Sequence, residues 1–560
     1  MRFLYSFGQL VVGLGTATAT NDCKCFPGDG CWPSTAQWTQ LNNTVGGRLV
    51  STVPLGKPCH GDDFNKTQCD LLKEQWLLPP IHYESSSSMM APLFANASCD
   101  PWQPVERPCM LGNYVDYAVN VTCAGDVQAA LAFARTHNVR FVIRNTGHDY
   151  LGRSTGAGAL AVWTHHLKST EMVDWADEFY TGPALRMGAG VQGFEALAAA
   201  HAAGYTVITG ECPTVGVAGG YVQGGGHSAL SSSFGLAADN VLAFEVVLPT
   251  GAHVVATRHQ NADVYWALAG GGTGTYGVVL AVVTRALPDA VISGAKLAIT
   301  TPADRPELVY VVVDAFHAAL PGIVEHDTMV IYYFGTGFLS IPALTAYNKT
   351  RVEVESMLQP LLAAFVALNL TVVPTYTEFD SYYDHYGHYW GPLPAGNIEV
   401  GASLYGGRLI SAAQVASFSP TSRALIDLGV TLIGVGLNVS RFADGSTNAV
   451  LPAWRDALVS ASLTYSYNFT APFSDMRALQ DHITAVVQPV IEAATPGSGA
   501  YLNEADFQQL DFQDVFYGRN YDRLLAIKNA LDPDGLLYGH TAVGSEMWAL
   551  AEDGHMCKTV

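Results

Sequence analysis

The sequence predicts an α+β chain in two lobes, preceded by a cleaved leader and a disulfide-stapled extension. Three observations carry that prediction. Of 560 residues, 49% are apolar and 14% charged, against about 25% charged in an average globular protein, so the chain has the apolar mass for a large core. From about Tyr114, strand-like alternation and helix-like periodicity follow one another, and glycines cluster in runs. Eight of the ten cysteines lie within the first 123 residues. The net charge of −21 argues against nucleic acid or an anionic membrane as the main partner, since both need a basic footprint.

The leader comes first. Arg2 supplies a positive start, Phe3–Gly15 an apolar stretch, and Ala17-Thr18-Ala19 a small-residue cleavage site, the pattern of a secretory signal peptide over residues 1–19. No later apolar run reaches the ~18 residues that a membrane span needs, so a soluble secreted product is expected. Sequons at Asn42, Asn65, Asn96, Asn120, Asn348, Asn369, Asn438 and Asn468 suit a glycosylated chain. Cys23, Cys25, Cys31, Cys59, Cys69, Cys99, Cys109 and Cys123, with Cys557 near the C-terminus, read as a disulfide framework in an oxidising compartment. Paired zinc knuckles are absent from the sequence, so no metal is expected. Cys212 stands apart from the others, marked for a different task or for burial as a plain thiol.

Residues 20–113 look loop-rich, because Pro27, Pro33, Pro54, Pro58, Pro79 and Pro80 interrupt any periodic pattern. Residues 114–290 form the first lobe. Tyr117–Val121 alternates like a strand, Asp126–His137 reads as a helix with Asp126 as its N-cap, and Val139–Arg144 is the next strand. Leu242–Thr257 is a strand–turn–strand unit about Pro249-Thr250-Gly251, and Asp263–Gly272 a short helix entering a glycine loop. Residues 291–495 are a second α+β stretch, rich in tyrosine. Residues 496–560 contain a helix, Tyr521–Leu531, stopped by Asp532-Pro533-Asp534-Gly535.

Glycine runs carry the chemistry. Gly188-Ala189-Gly190-Val191-Gln192-Gly193 matches G-x-G-x-x-G, with Glu211 near the offset of a ribose-binding acid. That nicotinamide-type pattern is discounted, because Pro183 and Arg186 interrupt the buried parallel strand it requires. Two other clusters are more distinctive. Arg144–Ser154 offers closely spaced backbone N–H groups near two arginines, as a pyrophosphate needs. Gly210–Asn240 is dense in glycine, including Gly216, Gly219, Gly220 and Gly226, and lets backbone lie against a large planar ligand.

These residues carry a resemblance. The chain resembles the berberine-bridge-enzyme-like branch of the vanillyl-alcohol oxidase superfamily of flavoproteins. Arg144-Asn145-Thr146-Gly147-His148-Asp149 is similar to that family's flavin loop, Gly210–Ser228 to its G-x-C-x-x-V-G-x-x-G-G segment, and Trp266–Val279 to its adenine-side loop. Tyr501–Tyr538 resembles the berberine-type tail, and Cys23–Ser34 is similar to fungal isoamyl alcohol oxidases, some of which act in secondary metabolism. The resemblance spans about Tyr114 to Val543. It implies a two-lobed FAD-binding domain of two α+β subdomains, with a separate substrate domain on an antiparallel sheet.

The resemblance also implies site residues. FAD would be joined to His148 and, in many members, also to Cys212. The rest of its site would comprise Arg144, Asn145, Thr146, Gly147, Asp149, Gly216, Gly219, Gly220, Gly226, Val278, Asn503, Tyr517 and Asn520. Imidazole and thiolate are the right nucleophiles for an electrophilic flavin ring. Cysteine parity pulls the other way, since a flavin-bonded Cys212 leaves nine thiols and one of them unpaired. Tyr501, heading Tyr501-Leu502-Asn503, is the first candidate base, and needs a positive or hydrogen-bonding neighbour because an ordinary phenol titrates near ~10. His227 is the second, since imidazole titrates near neutrality. The strand around Ala457–Phe469 has no carboxylate to serve instead. Val217 and Ala218 are placed beside the flavin, where oxygen would enter. Tyr382–Trp390 is either a pocket lid or core packing.

The activity implied is that of a secreted FAD-dependent oxidase. It would take hydride from an alcohol or similarly activated C–H of a small or secondary-metabolite substrate, with or without cyclisation, and O2 would become hydrogen peroxide. An oligosaccharide oxidase, a redox-neutral flavin isomerase and a non-catalytic secreted glycoprotein are the rivals.

Overall fold

The computed structural model describes residues 23–325, 327–442 and 447–559; the expected leader, residues 1–19, lies outside them. Three sheets organise the chain. The first has strand order Leu49–Ser51, Tyr117–Asn120, Ala159–Trp163, Arg140–Arg144, the last three parallel. Parallel strands need a crossover, and the Ala124–Thr136 helix supplies it. Ala159–Trp163 is buried throughout, as a strand covered on both faces must be.

The second sheet is antiparallel, in the order Thr170–Ala176, Thr181–Gly188, Val278–Arg285, Val241–Val247, His253–Ala256. The nicotinamide-type pattern therefore leaves an antiparallel strand, which confirms its rejection. The third sheet has seven antiparallel strands, ordered Thr375–Phe379, Ile292–Thr300, Phe338–Tyr347, Thr328–Gly335, Thr431–Gly436, Ala457–Ser466, Ser403–Ser411. Its core packs against the Leu308–Val324 and Arg351–Ala367 helices through Val312, Phe316, Leu320, Leu358 and Phe365. This is the α+β architecture that the sequence predicts, with an antiparallel sheet in the second lobe.

Two local expectations change. Asp126 is not the N-cap of its helix: Cys123 holds that position, and Asp126, on the first turn, accepts from Thr122 N and Oγ1, both at 2.8 Å. The leading segment is also more ordered than its prolines suggest. Pro79 opens the Pro79–Tyr83 helix and Pro92 opens Pro92–Ala95, because a first-turn residue has no intrahelical N–H bond to lose. Leu49–Ser51 joins the first sheet, and Trp38 stacks on Tyr117 with ring centroids 4.2 Å apart.

The tail returns to the first lobe. The Tyr521–Leu531 helix lies against Ala262–Leu268, and Leu536 and Leu537 enter the core with Val139 and Phe141. Disulfides join Cys23–Cys557, Cys25–Cys31, Cys59–Cys69 and Cys99–Cys109. Among the described residues Cys123 and Cys212 stay free. The leftover thiol demanded by parity is thus Cys123, and Cys212 is not drawn into a disulfide.

Candidate active site

A cleft of about 1390 Å³, counting its open mouth, is lined by the first lobe and the tail, with Ile398 and Val400 of the second lobe at its edge. His148, Cys212, Tyr501, His227 and Asn503 all line it, together with Asn145, Thr146, Gly147, Asp149, Gly216, Gly219 and Gly220.

One wall is the loop that leaves the Arg140–Arg144 strand. Asp149 shapes it, its carboxylate accepting from Leu151 N at 3.0 Å and Ser154 N at 2.7 Å. Asn145 donates to Thr164 Oγ1 at 2.9 Å and to Ala189 O at 2.7 Å. A second wall is the Cys212–Tyr221 segment. Gly193 N and Phe194 N, opening the next helix, each donate at 3.0 Å to Val215 O and Pro213 O. The two walls meet tightly at Gly216, where a Cβ would fall 2.0 Å from Asn145 Oδ1.

Thr214, which sequence reasoning missed, links the two expected flavin attachment points. Its hydroxyl lies 2.7 Å from His148 Nε2 and 3.5 Å from Cys212 Sγ. His148 opens only to the cleft; loss of hydration, helped by His82 and Arg144, pushes its pKa down to about 3. It is therefore a neutral imidazole, the nucleophilic form. Burial raises the Cys212 thiol, partly offset by the Thr214 hydrogen bonds.

Charge gathers around His227. His227, 5% exposed, stands between two carboxylates, with Nδ1 3.3 Å from Glu211 Oε2 and Nε2 3.0 Å from Glu504 Oε1. Burial alone lowers an imidazole pKa, but Glu211 and Glu504 outweigh it and hold His227 well above its ordinary value. An imidazolium has no lone pair for a substrate proton, so His227 at rest is not the base that its residue type suggests. Tyr501 packs edge-on to His227 at 5.2 Å and to Trp454 at 5.4 Å. Its hydroxyl accepts from Asn503 Nδ2 at 2.9 Å. Burial and the nearby Glu504 still push the phenol well above its ordinary value, against the Asn503 and Gly226 hydrogen bonds. It rests as a neutral phenol.

Several expected contacts with the cofactor are corrected. Arg144 does not face the cleft. Its guanidinium is spent on His82 O at 3.0 Å, Ser85 O at 2.9 Å and Ser88 O at 2.6 Å, pinning the leading segment to the first lobe. Arg153 takes its place in the cleft lining, donating to His540 O and Thr541 O while Nη1 has no partner. Val278 turns into the core with Val119 and Leu131, while Gly277 and Val279 line the cleft, because strand side chains alternate. Gly226, at φ +73°, is a turn residue against Tyr221 rather than a wall. Tyr517 donates to Thr541 O at 2.9 Å, and Asn520 to Ala449 O and Val450 O, so both brace the tail. Val217 is core, and only Ala218 lines the cleft. The Tyr382–Trp390 helix is packing, not a lid: Tyr386 donates to Gly210 O at 2.8 Å and Glu211 O at 3.0 Å beneath the site.

The residues present fit FAD. Asn145 Oδ1, Glu211 Oε1 and Arg153 Nη1 are all buried without partners around one cleft, a mixed acceptor and donor set of the kind a polar ligand completes. Arg153 adds the positive charge that a pyrophosphate requires, and Gly216, Gly219 and Gly220 leave a side-chain-free wall for a flat ring.

Comparison with known proteins agrees. Residues 115–257 match the family described as FAD binding domain, and residues 500–544 the family described as berberine and berberine like. The FAD-linked oxidoreductase ZEB1 of Gibberella zeae is 52% identical over 549 residues, which cover 98% of this chain and 97% of that protein. The bifunctional decalin synthase calF of Penicillium decumbens is 39% identical over 570 residues, covering 99% of each. The crystal structure of the VAO-type flavoprotein MtVAO615 from Myceliophthora thermophila C1 superposes with a TM-score of 0.92 at 40% identity, covering 96% of this chain and 100% of that one.

Proposed function

The chain belongs to the FAD-linked oxidoreductases of the berberine-bridge-enzyme-like branch of the vanillyl-alcohol oxidase superfamily, and from that premise we propose that it is a secreted alcohol oxidase. His148 and Cys212 hold FAD covalently, and the substrate is a small or medium hydroxylated secondary metabolite. FAD held there would supply the hydride acceptor, with O2 as the final electron acceptor and hydrogen peroxide as the product.

The observation that carries this proposal is the Thr214 bridge. A neutral imidazole and a free thiol share one hydroxyl in the cleft that His227 and Glu504 also line. Two tethers raise the potential of a flavin and suit it to poorly activated C–H bonds. Tyr501 and Asn503 orient the substrate hydroxyl. The decalin synthase among the relatives supports a secondary-metabolite substrate, with oxidative cyclisation as a second outcome of the same hydride step. Four disulfides support an oxidising compartment, and no helix among the described residues is long and apolar enough to cross a membrane.

The test is direct. Purified protein is denatured and its visible spectrum recorded, then peptides are weighed for flavin at His148 and Cys212. A yellow pellet followed by peroxide release from alcohols but not sugars is expected. A colourless pellet with unmodified peptides sinks the covalent attachment, and turnover of sugars alone sinks the substrate class.

A further inference from the structure

The oxidation proposed above needs a group that accepts the substrate's hydroxyl proton, and neither Tyr501 nor His227 is in the state for it. We propose that Glu504 is the catalytic base, with His227 and Glu211 behind it as positioning residues. The proposal rests on the alcohol-oxidase reading. In the step, the alcohol O–H bond breaks and its proton goes to the Glu504 carboxylate. The C–H bond breaks with its electron pair, the hydride going to the FAD that the family supplies. A carbonyl C=O remains: the substrate loses two electrons and the flavin gains them.

Three observations favour Glu504. Both carboxylates line the cleft, but the Glu504 side chain is 30% exposed to it and that of Glu211 only 9%. Glu504 sits three residues after Tyr501 in the segment that faces the cleft, and its N donates to Tyr501 O at 2.9 Å, which fixes their relative positions. Tyr150, stacked on Tyr405 with ring centroids 4.2 Å apart, lines the cleft together with Glu504 and Cys212, and both phenols feel the charge of Glu504.

His227 pairs with Glu504 on one side and with Glu211 on the other. An imidazolium 3.0 Å away offsets the cost of burying a carboxylate, and Glu211 on its far side keeps that imidazolium charged. Against Glu211 lie Tyr221, Tyr382 and Tyr386. Against Glu504 lie Tyr150, Tyr333, Tyr405 and Tyr501. All of these phenols, and the Cys212 thiol, are held above their ordinary values.

The test compares holoenzyme variants in anaerobic flavin bleaching by an alcohol. Glu504→Gln keeps the shape but cannot take a proton. It is expected to slow bleaching by ~10²–10⁴-fold with alcohol saturation little changed and flavin still bound to denatured protein. Glu504→Asp recovers part of the rate. Glu211→Gln is expected to slow it less and to move the alkaline limb of the pH–rate profile downward, because His227 loses one of its two carboxylates. A readout independent of turnover is NMR of ¹³Cε1-labelled histidine, with His227 assigned by loss in His227→Gln. The signal stays that of an imidazolium above pH ~6.5 in the wild type and titrates lower in either glutamine variant. Wild-type bleaching with Glu504→Gln equally fast overturns the base alone. A wild type inert to every alcohol overturns the reading and the base with it. A neutral His227 in the wild type overturns the positioning role.

Discussion

Thr214 Oγ1 lies 2.7 Å from His148 Nε2, while the same hydroxyl lies 3.5 Å from Cys212 Sγ. One side chain thus fixes the ring orientation of the histidine and sits beside the thiol, and it does so from the segment that carries that cysteine. A hydrogen bond at one ring nitrogen sets which nitrogen is free to react. Thr214→Val is therefore expected to lower the share of flavin retained by denatured protein several-fold, and Thr214→Ser to restore it. The visible spectrum of precipitated protein reads both.

The thiol count follows from the disulfide pattern. Eight cysteines are paired, and Cys123 and Cys212 are free. If Cys212 is bonded to flavin as proposed, denatured, unreduced holoenzyme is expected to show one titratable thiol, that of Cys123. Cys123→Ser is expected to bring the count to zero without loss of colour. Two thiols in a yellow protein would show attachment through His148 alone.

Arg144 is a stability residue. Its guanidinium satisfies the carbonyls of His82, Ser85 and Ser88 in a fully buried place. Arg144→Gln strands most of them, at ~1–3 kcal/mol for each buried group left unpaired. The expected outcome is a marked drop in Tm, with early proteolysis near residues 79–95.

Acid stability depends on buried histidines. His82 and His317 are pushed down to about 4 and His385 to about 3, each chiefly by burial. An unfolded histidine titrates near ~6.5, so below that pH the unfolded chain binds protons that the fold refuses. Their contribution is whole above pH ~6.5 and is lost as pH falls toward the folded values, each adding up to ~1.4 kcal/mol per pH unit. His227 has the opposite sign: its folded pKa is raised, so its contribution is present below pH ~6.5 and lost as pH rises through the folded value. Tm measured from acid to neutral pH is expected to rise steeply, and His317→Phe to flatten that rise.

Much of the site was legible before any coordinate. Gly147, Gly216, Gly219 and Gly220 were expected at the cofactor and line the cleft, because a glycine loop is a local property of the chain. His148, Cys212 and Tyr501 also line the cleft. What failed was direction. Arg144 ends a strand and points its charge away from the loop it introduces, and Val278 differs from the lining Val279 by one step of strand alternation. In the sequence Glu211 reads only as a false ribose ligand, and no local pattern marks Glu504 between Asn503 and Ala505.

The sequence by itself determined the α+β texture, the order of the flavin motifs, the family and the oxidisable cysteine framework. All of these follow from local spacing and composition. Only the tertiary structure decided which of the ten cysteines pair, that Arg153 and not Arg144 charges the cleft, and that His227 is held as a cation. Those depend on groups such as His227 and Glu504, which meet across 277 residues. A pKa is set by burial and neighbouring charge in space, and spacing along the chain records neither.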